Sequence, residues 1–148
     1  MNDYINTAVK NFFQEILSVR CEAYSAFPPT AVYTATISLE DSQTKHHFTL
    51  CMREETLRMV SNTLLHEEDP EEEIKMDLIC ECANLIVGSA KVAIEDATEQ
   101  SDWQLSVPEY QGYFDEEFSK SFDDIAYFKV QDTFIMIGSE EESLKATV

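Results

Sequence analysis

The sequence predicts an α+β fold, a single domain in which helices pack on a mainly antiparallel sheet. Stretches with apolar residues at helical spacing alternate with pairs of stretches that are rich in β-branched and aromatic residues. Within each pair only a few polar residues separate the two stretches, as in a β-hairpin. The length of 148 residues suits one domain over 1–148, and 44% hydrophobic residues are enough to build a core.

The first half of the chain is predicted to form a helix, a hairpin and a second helix. Residues 2–18 place apolar side chains on one face of a helix. Residues 31–39 and 45–52 are the two strands of the hairpin, and the polar tetrad 41–44 lies between them. Residues 54–65 return to helical spacing.

A charged linker over 66–73 leads into the longest predicted helix, at about 71–96. Asp69 is a suitable N-cap, and Pro70 suits the first helical position. The glutamates at 71–73 would then face the positive end of the helix dipole. Most of this acidic run is therefore interpreted as a helix-start signal.

The remainder of the chain predicts more sheet. Residues 103–107 suit a strand, with Trp103 in the core, and 125–130 with 133–137 suit a second hairpin before a short acidic tail. The stretch 110–122 interleaves aromatic and acidic residues. We expect it to form a lid on the core, with aromatic rings turned inward and acids outward, although contact with a partner is the alternative.

The composition argues against several classes of partner. Lys and Arg number 10 against 29 Asp and Glu, so the formal net charge is -19. Such a chain repels phosphate backbones and anionic lipid, and we expect neither nucleic acid nor a membrane as a partner. No apolar run approaches the roughly 20 residues of a membrane span, and no signal peptide is recognised. Reduced cysteines in a cytoplasmic protein are the simplest interpretation of Cys21, Cys51, Cys80 and Cys82.

The long helix is apolar on most of its circumference. At about 100° per residue, two adjoining sides are almost wholly apolar. Lys75 and Ser89 interrupt them: Lys75 is expected to reach solvent near the helix start, and Ser89 to face the buried side. The remaining sector is polar and holds Asp77, Glu81, Asn84, Gly88, Lys91 and Glu95.

This polar sector allows two interpretations. Glu81 and Asn84 are i, i+3 neighbours, roughly 5–6 Å apart at Cβ. A carboxylate can pair with an ammonium group, and an amide can orient a water for phosphoryl transfer. Gly88 on the same face suggests that a partner approaches the backbone closely. The plainer interpretation is a solvated polar stripe with a tolerated glycine, and periodicity alone favours it.

Residues 81–88, Glu-Cys-Ala-Asn-Leu-Ile-Val-Gly, resemble the Glu-x-x-Asn signature helix of the CheC/CheX/FliY family, and its CheX branch in particular. The likeness extends to 12–17 as the first helix and to 52–56 as a strand-to-helix turn. Pro108 and Gly112 also stand where CheX-like chains carry these residue types. The resemblance covers nearly the whole chain, although the signature helix is its one specific part.

The resemblance implies a phosphatase that hydrolyses the aspartyl phosphate of a response regulator, typically a CheY-like receiver domain. Asn84 would orient the attacking water, and Glu81 would bind the regulator's lysine. Asp77, Gly88 and Lys91 flank this pair and would contact the partner. No cofactor of its own is implied, because the regulator brings its own Mg²⁺.

Two details of the resemblance concern the number of sites and the assembly. CheC relatives carry a second motif on the first helix, where this chain has Glu15 and Ser18 without an asparagine, so one site per chain is implied. The CheX branch also implies a homodimer formed through the sheet. Where CheX-like chains often have Gly-Asn-Ala, this chain has Gly88-Ser89-Ala90, a departure expected to affect packing more than chemistry.

Two other classes of function stay in view. A non-catalytic module that docks a receiver or another signalling partner would use the same stripe for recognition, and the acidic surface is a mild argument for it. A metal or thiol enzyme is disfavoured. Cys80 and Cys82 diverge on a helix, and the adjacent His46 and His47 point to opposite faces of a strand.

Overall fold

An antiparallel sheet of seven strands is the frame of the molecule in the computed structural model, which describes residues 1–144. The strands lie in the order β1-β6-β7-β3-β2-β4, and β5 also pairs with β2. Their bounds are Cys21–Tyr24 (β1), Val32–Glu40 (β2), Thr44–Arg53 (β3), Gln104–Leu105 (β4), Glu109–Phe114 (β5), Asp124–Val130 (β6) and Thr133–Ser143 (β7).

Three α-helices pack on this sheet. Helix α1 spans Asn2–Asn11 and continues as a π-helical turn over Phe12–Ile16. Helix α2 spans Glu54–Leu65, and α3 spans Glu72–Thr98. Helix α3 contacts β2 on one side and both α1 and α2 on others. The predicted α+β class is confirmed, and none of the described helices is long and apolar enough to cross a membrane.

The two faces of the sheet carry different cores. The main core lies under the helices, and alternate side chains of β2 (Tyr33, Ala35, Ile37 and Leu39) belong to it. Trp103 is buried in the same core, as predicted. A smaller cluster of Phe27, Val32, Cys51 and Met136 is built around the alternate residues of the opposite face.

The segment that follows β5 covers part of this second face. The predicted lid at 110–122 is partly correct: Phe118 and Phe122 are half-buried against the smaller cluster. The Phe122 ring lies where a Cβ on Gly138 would be 2.6 Å away, so any larger residue at 138 would have to displace this ring. Tyr113 and Phe114 belong to β5 instead and are exposed.

Two strands differ from the prediction. The acidic residues expected in a tail belong to β7, where Glu140, Glu141 and Glu142 pair with β3 as far as the described residues extend. The rest of the predicted tail, 145–148, lies outside the described residues. Strand β1 was not predicted, because only one of its four residues is buried and no apolar alternation marks it.

The start of α3 also differs from the prediction. Asp69 and Pro70 precede the helix, and the extended residue Glu71 is its N-cap without a side-chain hydrogen bond. Asp69 instead faces Arg58 of α2, with 3.3 Å between a guanidinium nitrogen and a carboxylate oxygen. Because this ion pair joins the linker to α2 and the helix begins only at Glu72, the sequence signal for a cap marks the linker and not the first turn.

Candidate functional site

The middle of α3 is buried on nearly all sides. Its residues Leu78, Ile79, Cys82, Ala83, Ile86, Val87 and Ala90 are buried against the sheet and the other helices. Glu81 is exposed and Asn84 half-buried on the remaining strip. The predicted polar stripe is therefore a surface, and the rest of the helix is fixed by packing.

An open groove of about 420 Å³ lies along this strip. Helix α3 forms one wall, and the start of the segment after β4 forms the other. The lining residues are Asp77, Cys80, Glu81 and Asn84 on the helix, with Leu105, Ser106, Val107 and Pro108 opposite.

The second wall is fastened to the sheet by a reciprocal pair of hydrogen bonds. The Ser106 backbone N–H donates to the Ser38 carbonyl over 2.9 Å, and the Ser38 N–H donates to Ser106 Oγ over 2.8 Å. Leu105 pairs with Leu39 of β2. Sequence reasoning missed this wall; the predicted strand that stops at Pro108 was its one available signal.

Glu81 and Asn84 have no bonding partners in residues 1–144. Among the described residues, neither side chain makes a hydrogen bond or an ion pair within the domain. Polar groups that serve the fold are normally paired when they lose contact with water. The half-buried amide of Asn84 and the carboxylate of Glu81 are therefore available to a molecule that enters the groove.

The thiol in the groove, Cys80, is not activated. Burial, and then the nearby Asp77 carboxylate, raise the pKa of the Cys80 thiol above its usual value of 9.0. The thiol is therefore protonated near neutral pH and is a poor nucleophile. Within residues 1–144, no cluster of three or more His, Cys, Asp or Glu is arranged to hold a metal ion.

The last two predicted contact residues lie beyond the groove. Gly88 is half-buried, and a Cβ placed on it would be 3.6 Å from Leu105 Cδ2, an ordinary contact distance. Lys91 donates to Glu95 one turn further along, with 2.9 Å between Nζ and Oε1. The structure therefore gathers Asp77, Glu81 and Asn84 in the groove and places Gly88 under the opposite wall. A Cβ would fit at this position, so packing among the described residues does not demand a glycine there.

Two expectations about the apolar sides of α3 are wrong. Lys75 does not reach solvent: the residue is 8% exposed, and its Nζ is 2.6 Å from Glu54 Oε1 of α2. Ser89 is exposed, not buried, and so are Val92 and Ala93 on that side. Ala90 and Ile94 are nevertheless buried, so the C-terminal half of α3 is covered on a narrower sector than its apolar pattern suggests.

Fold and groove together define a CheC-like α+β domain with a Glu-x-x-Asn pair on its central helix. The family model described as "Chemotaxis phosphatase CheX" matches residues 33–118, which contain both site residues and both walls of the groove. The chain therefore belongs to the CheX family. Comparison with curated proteins gives no match.

Solved structures share the fold at low sequence identity. The chemotaxis protein CheX of Vibrio vulnificus is 16% identical, with 95% of each chain covered and a TM-score of 0.79. A CheC-like superfamily protein from Shewanella sp. PV-4 is 16% identical over 95% of this chain and 96% of that one, at a TM-score of 0.74. A CheX–CheY–BeF3–Mg²⁺ complex from Borrelia burgdorferi matches with 14% identity over 95% of this chain and 97% of the other, at a TM-score of 0.69.

Proposed function

We propose that this chain is a phosphatase that accelerates hydrolysis of the aspartyl phosphate on a CheY-like receiver domain. The observation that carries the proposal is the unpaired Glu81 and Asn84 on the wall of an open groove. The family description and the complex formed by the Borrelia relative support a receiver as the partner. A substrate of this kind would place the reaction in the cytoplasm.

Asn84 is proposed to orient the attacking water. Its side-chain oxygen accepts a hydrogen bond and its amino group donates, so it can hold a water in one direction. Phosphoryl transfer passes through a loose transition state in which positioning and charge stabilisation supply most of the acceleration. A single amide that keeps the water in line with the phosphorus is therefore a sufficient contribution from this chain.

Glu81 is proposed to pair with the lysine of the receiver. Residues at i and i+3 lie one above the other on a helix, so Glu81 and Asn84 can engage the same partner surface. A charge-assisted hydrogen bond between carboxylate and ammonium would fix the register of the docked receiver. The receiver would thereby present its phosphorylated aspartate to Asn84.

The remaining contacts and the assembly are proposed as follows. Asp77 on the groove wall, Gly88 beside Leu105 and Lys91 beyond it would contact the receiver. The chain would need no cofactor of its own, because the receiver carries Mg²⁺. A homodimer through the sheet would give two sites per assembly, and β5 offers an edge with an exposed Tyr113.

A second proposal is a receiver-binding module without catalytic activity. The net charge of -19 favours it, because an acidic protein is poorly steered toward the acidic phosphorylation site of a receiver. Such a module would form a measurable complex with the receiver and leave the rate of hydrolysis unchanged.

Phosphate release from a phosphorylated CheY-type receiver of the same organism tests the phosphatase proposal. Wild type should accelerate release, and Asn84→Ala should lower the added rate about a hundredfold, since a misplaced nucleophile costs about that much. Asn62→Ala is the matched control, because Asn62 is an exposed asparagine on α2 outside the groove. Equal rates for wild type and Asn84→Ala would overturn the proposal.

A further inference from the structure

Val107 is the most solvent-exposed large apolar side chain in the part of the chain that the structure describes. It is 82% exposed, and the next value is 56% for Val92 on α3. A single exposed valine needs no functional explanation by itself. Val107 differs from other exposed apolar residues because its backbone is held to the sheet and because it lines the same groove as Glu81 and Asn84.

The backbone on the N-terminal side of Val107 is fixed. Ser106 is joined to Ser38 by hydrogen bonds of 2.8 and 2.9 Å, and Leu105 is paired with Leu39. Pro108 follows and restricts its own backbone angle. A β-branched side chain on such a segment has little conformational freedom to lose on binding. The exposure of Val107 is therefore not a result of a loose loop.

Val107 stands across the groove from the helix. It lines the same opening as Glu81 and Asn84, on the wall formed by 105–108. A protein that brings a phosphorylated side chain to Asn84 has to enter between these two walls. Its surface would cover Val107 as Glu81 is engaged on the opposite side.

We propose that Val107 is the main apolar contact through which this groove binds the phosphorylated receiver domain. The inference rests on the proposed phosphatase function and assigns binding and catalysis to different residues of the groove. Asn84 acts on the reacting water, whereas Val107 touches only the receiver surface and sets the affinity. An apolar contact that is shielded from water beside polar contacts is the usual anatomy of a protein–protein interface.

Two substitutions test this apolar contact. Val107→Asp places a charge where an apolar contact forms, and Val107→Thr keeps the shape but replaces one methyl group by a hydroxyl. The probe is the CheY-type receiver loaded with Mg²⁺ and beryllofluoride, which stands in for the phosphoryl group. From the burial of one valine, Val107→Asp should raise Kd at least tenfold and Val107→Thr about threefold. Phosphate release at subsaturating enzyme should slow by the same factors as the affinity, because the loss is in binding.

The matched control is Ile125→Asp. Ile125 is also β-branched and 44% exposed, but it lies on β6, with β7, β3 and β2 between it and β4. Its substitution should leave Kd unchanged. Wild-type affinity in Val107→Asp would overturn the apolar contact, whatever the rates. Failure of the phosphatase proposal has a different signature, because Asn84→Ala and wild type would then release phosphate equally while Val107→Asp still weakened binding.

Discussion

Both the first turn of α3 and its middle carry polar side chains, but among the described residues those of the first turn bond within the domain and those of the middle do not. At the start, Lys75 is buried and bonded to Glu54 over 2.6 Å, with Glu72 3.6 Å away. In the middle, Glu81 and Asn84 face an open groove and bond to no described residue. Polar groups with partners inside the domain stabilise the fold. Those without partners remain free for a second molecule.

At the start of α3, Lys75 and Glu54 each stabilise the charged form of the other. The hydrogen bond to Glu54 raises the pKa of Lys75, although desolvation opposes it. The same bond lowers the pKa of Glu54, again against desolvation. The pair therefore outweighs the cost of burying the ammonium group, and it joins α2 to α3. The Lys75 Nζ also lies 6.0 Å from the centre of the Tyr33 ring, within the range of a cation–π contact.

Lys75→Met should have the largest effect on stability. It removes a charge-assisted hydrogen bond, and we expect the free energy of unfolding to fall by about 2 kcal/mol, since Glu54 is partly exposed and water offsets some of the loss. Denaturant unfolding followed by circular dichroism measures this. Lys10→Met is a control, because Lys10 has no ion pair among the described residues. Equal losses in the two variants would contradict a structural role for Lys75.

Acid should remove this difference between wild type and Lys75→Met. Glu54 has a folded-state pKa below its ordinary 4.5, so its stabilisation is present above pH 4.5 and is lost as the pH falls through the folded value. Lys75 has a pKa above its ordinary 10.5, so its own contribution is present below that pH and is lost above it. Unfolding curves should therefore differ at pH 7 and converge below pH 4.5. A difference that persists at a pH where Glu54 is protonated in the folded state would show that packing, not charge, explains the Lys75→Met loss.

Glu81→Ala should have a smaller effect, and on binding only. Loss of one charge-assisted pair with the receiver should raise Kd about tenfold. The free energy of unfolding should change by less than about 0.5 kcal/mol, because Glu81 is exposed and bonds to none of residues 1–144. Titration against the beryllofluoride-loaded receiver measures the affinity, and Asp96→Ala provides an exposed acidic control on the same helix. A loss of stability without a loss of affinity would show that Glu81 serves the fold and not the receiver.

Gly88→Ala should have the smallest effect. An alanine inside a helix is favoured over glycine by up to about 1 kcal/mol, and a Cβ at this position meets Leu105 at an ordinary distance. We expect greater stability together with an affinity for the receiver that is about threefold weaker, since the partner would approach the backbone less closely. Thermal unfolding and titration measure the two quantities. Higher stability with unchanged affinity would remove Gly88 from the interface.

Local patterns account for the parts that the sequence predicted. Helix α2 begins and ends as expected, both hairpins are present, and the polar strip of α3 lies where its angular pattern placed it. These features depend on residues within a few turns or one hairpin of each other. Periodicity reports such neighbours directly.

The features that were missed depend on distant partners. Lys75 is buried because Glu54 lies 21 positions earlier, and the second wall of the groove exists because Ser106 bonds to Ser38 across 68 positions. Ser89 is exposed although Ala90 beside it is buried, because the packing elements cover only part of the apolar sector there. No helical or strand pattern contains this information, since it is set by tertiary packing.

The most direct test compares Asn84→Ala with Lys75→Met in two assays, phosphate release from the phosphorylated receiver and unfolding by denaturant. Asn84→Ala should lose the added rate and keep wild-type stability. Lys75→Met should lose stability and keep the rate at a temperature where it is folded. The opposite outcome, or wild-type phosphate release by Asn84→Ala, would contradict the assignment of the open groove to the receiver.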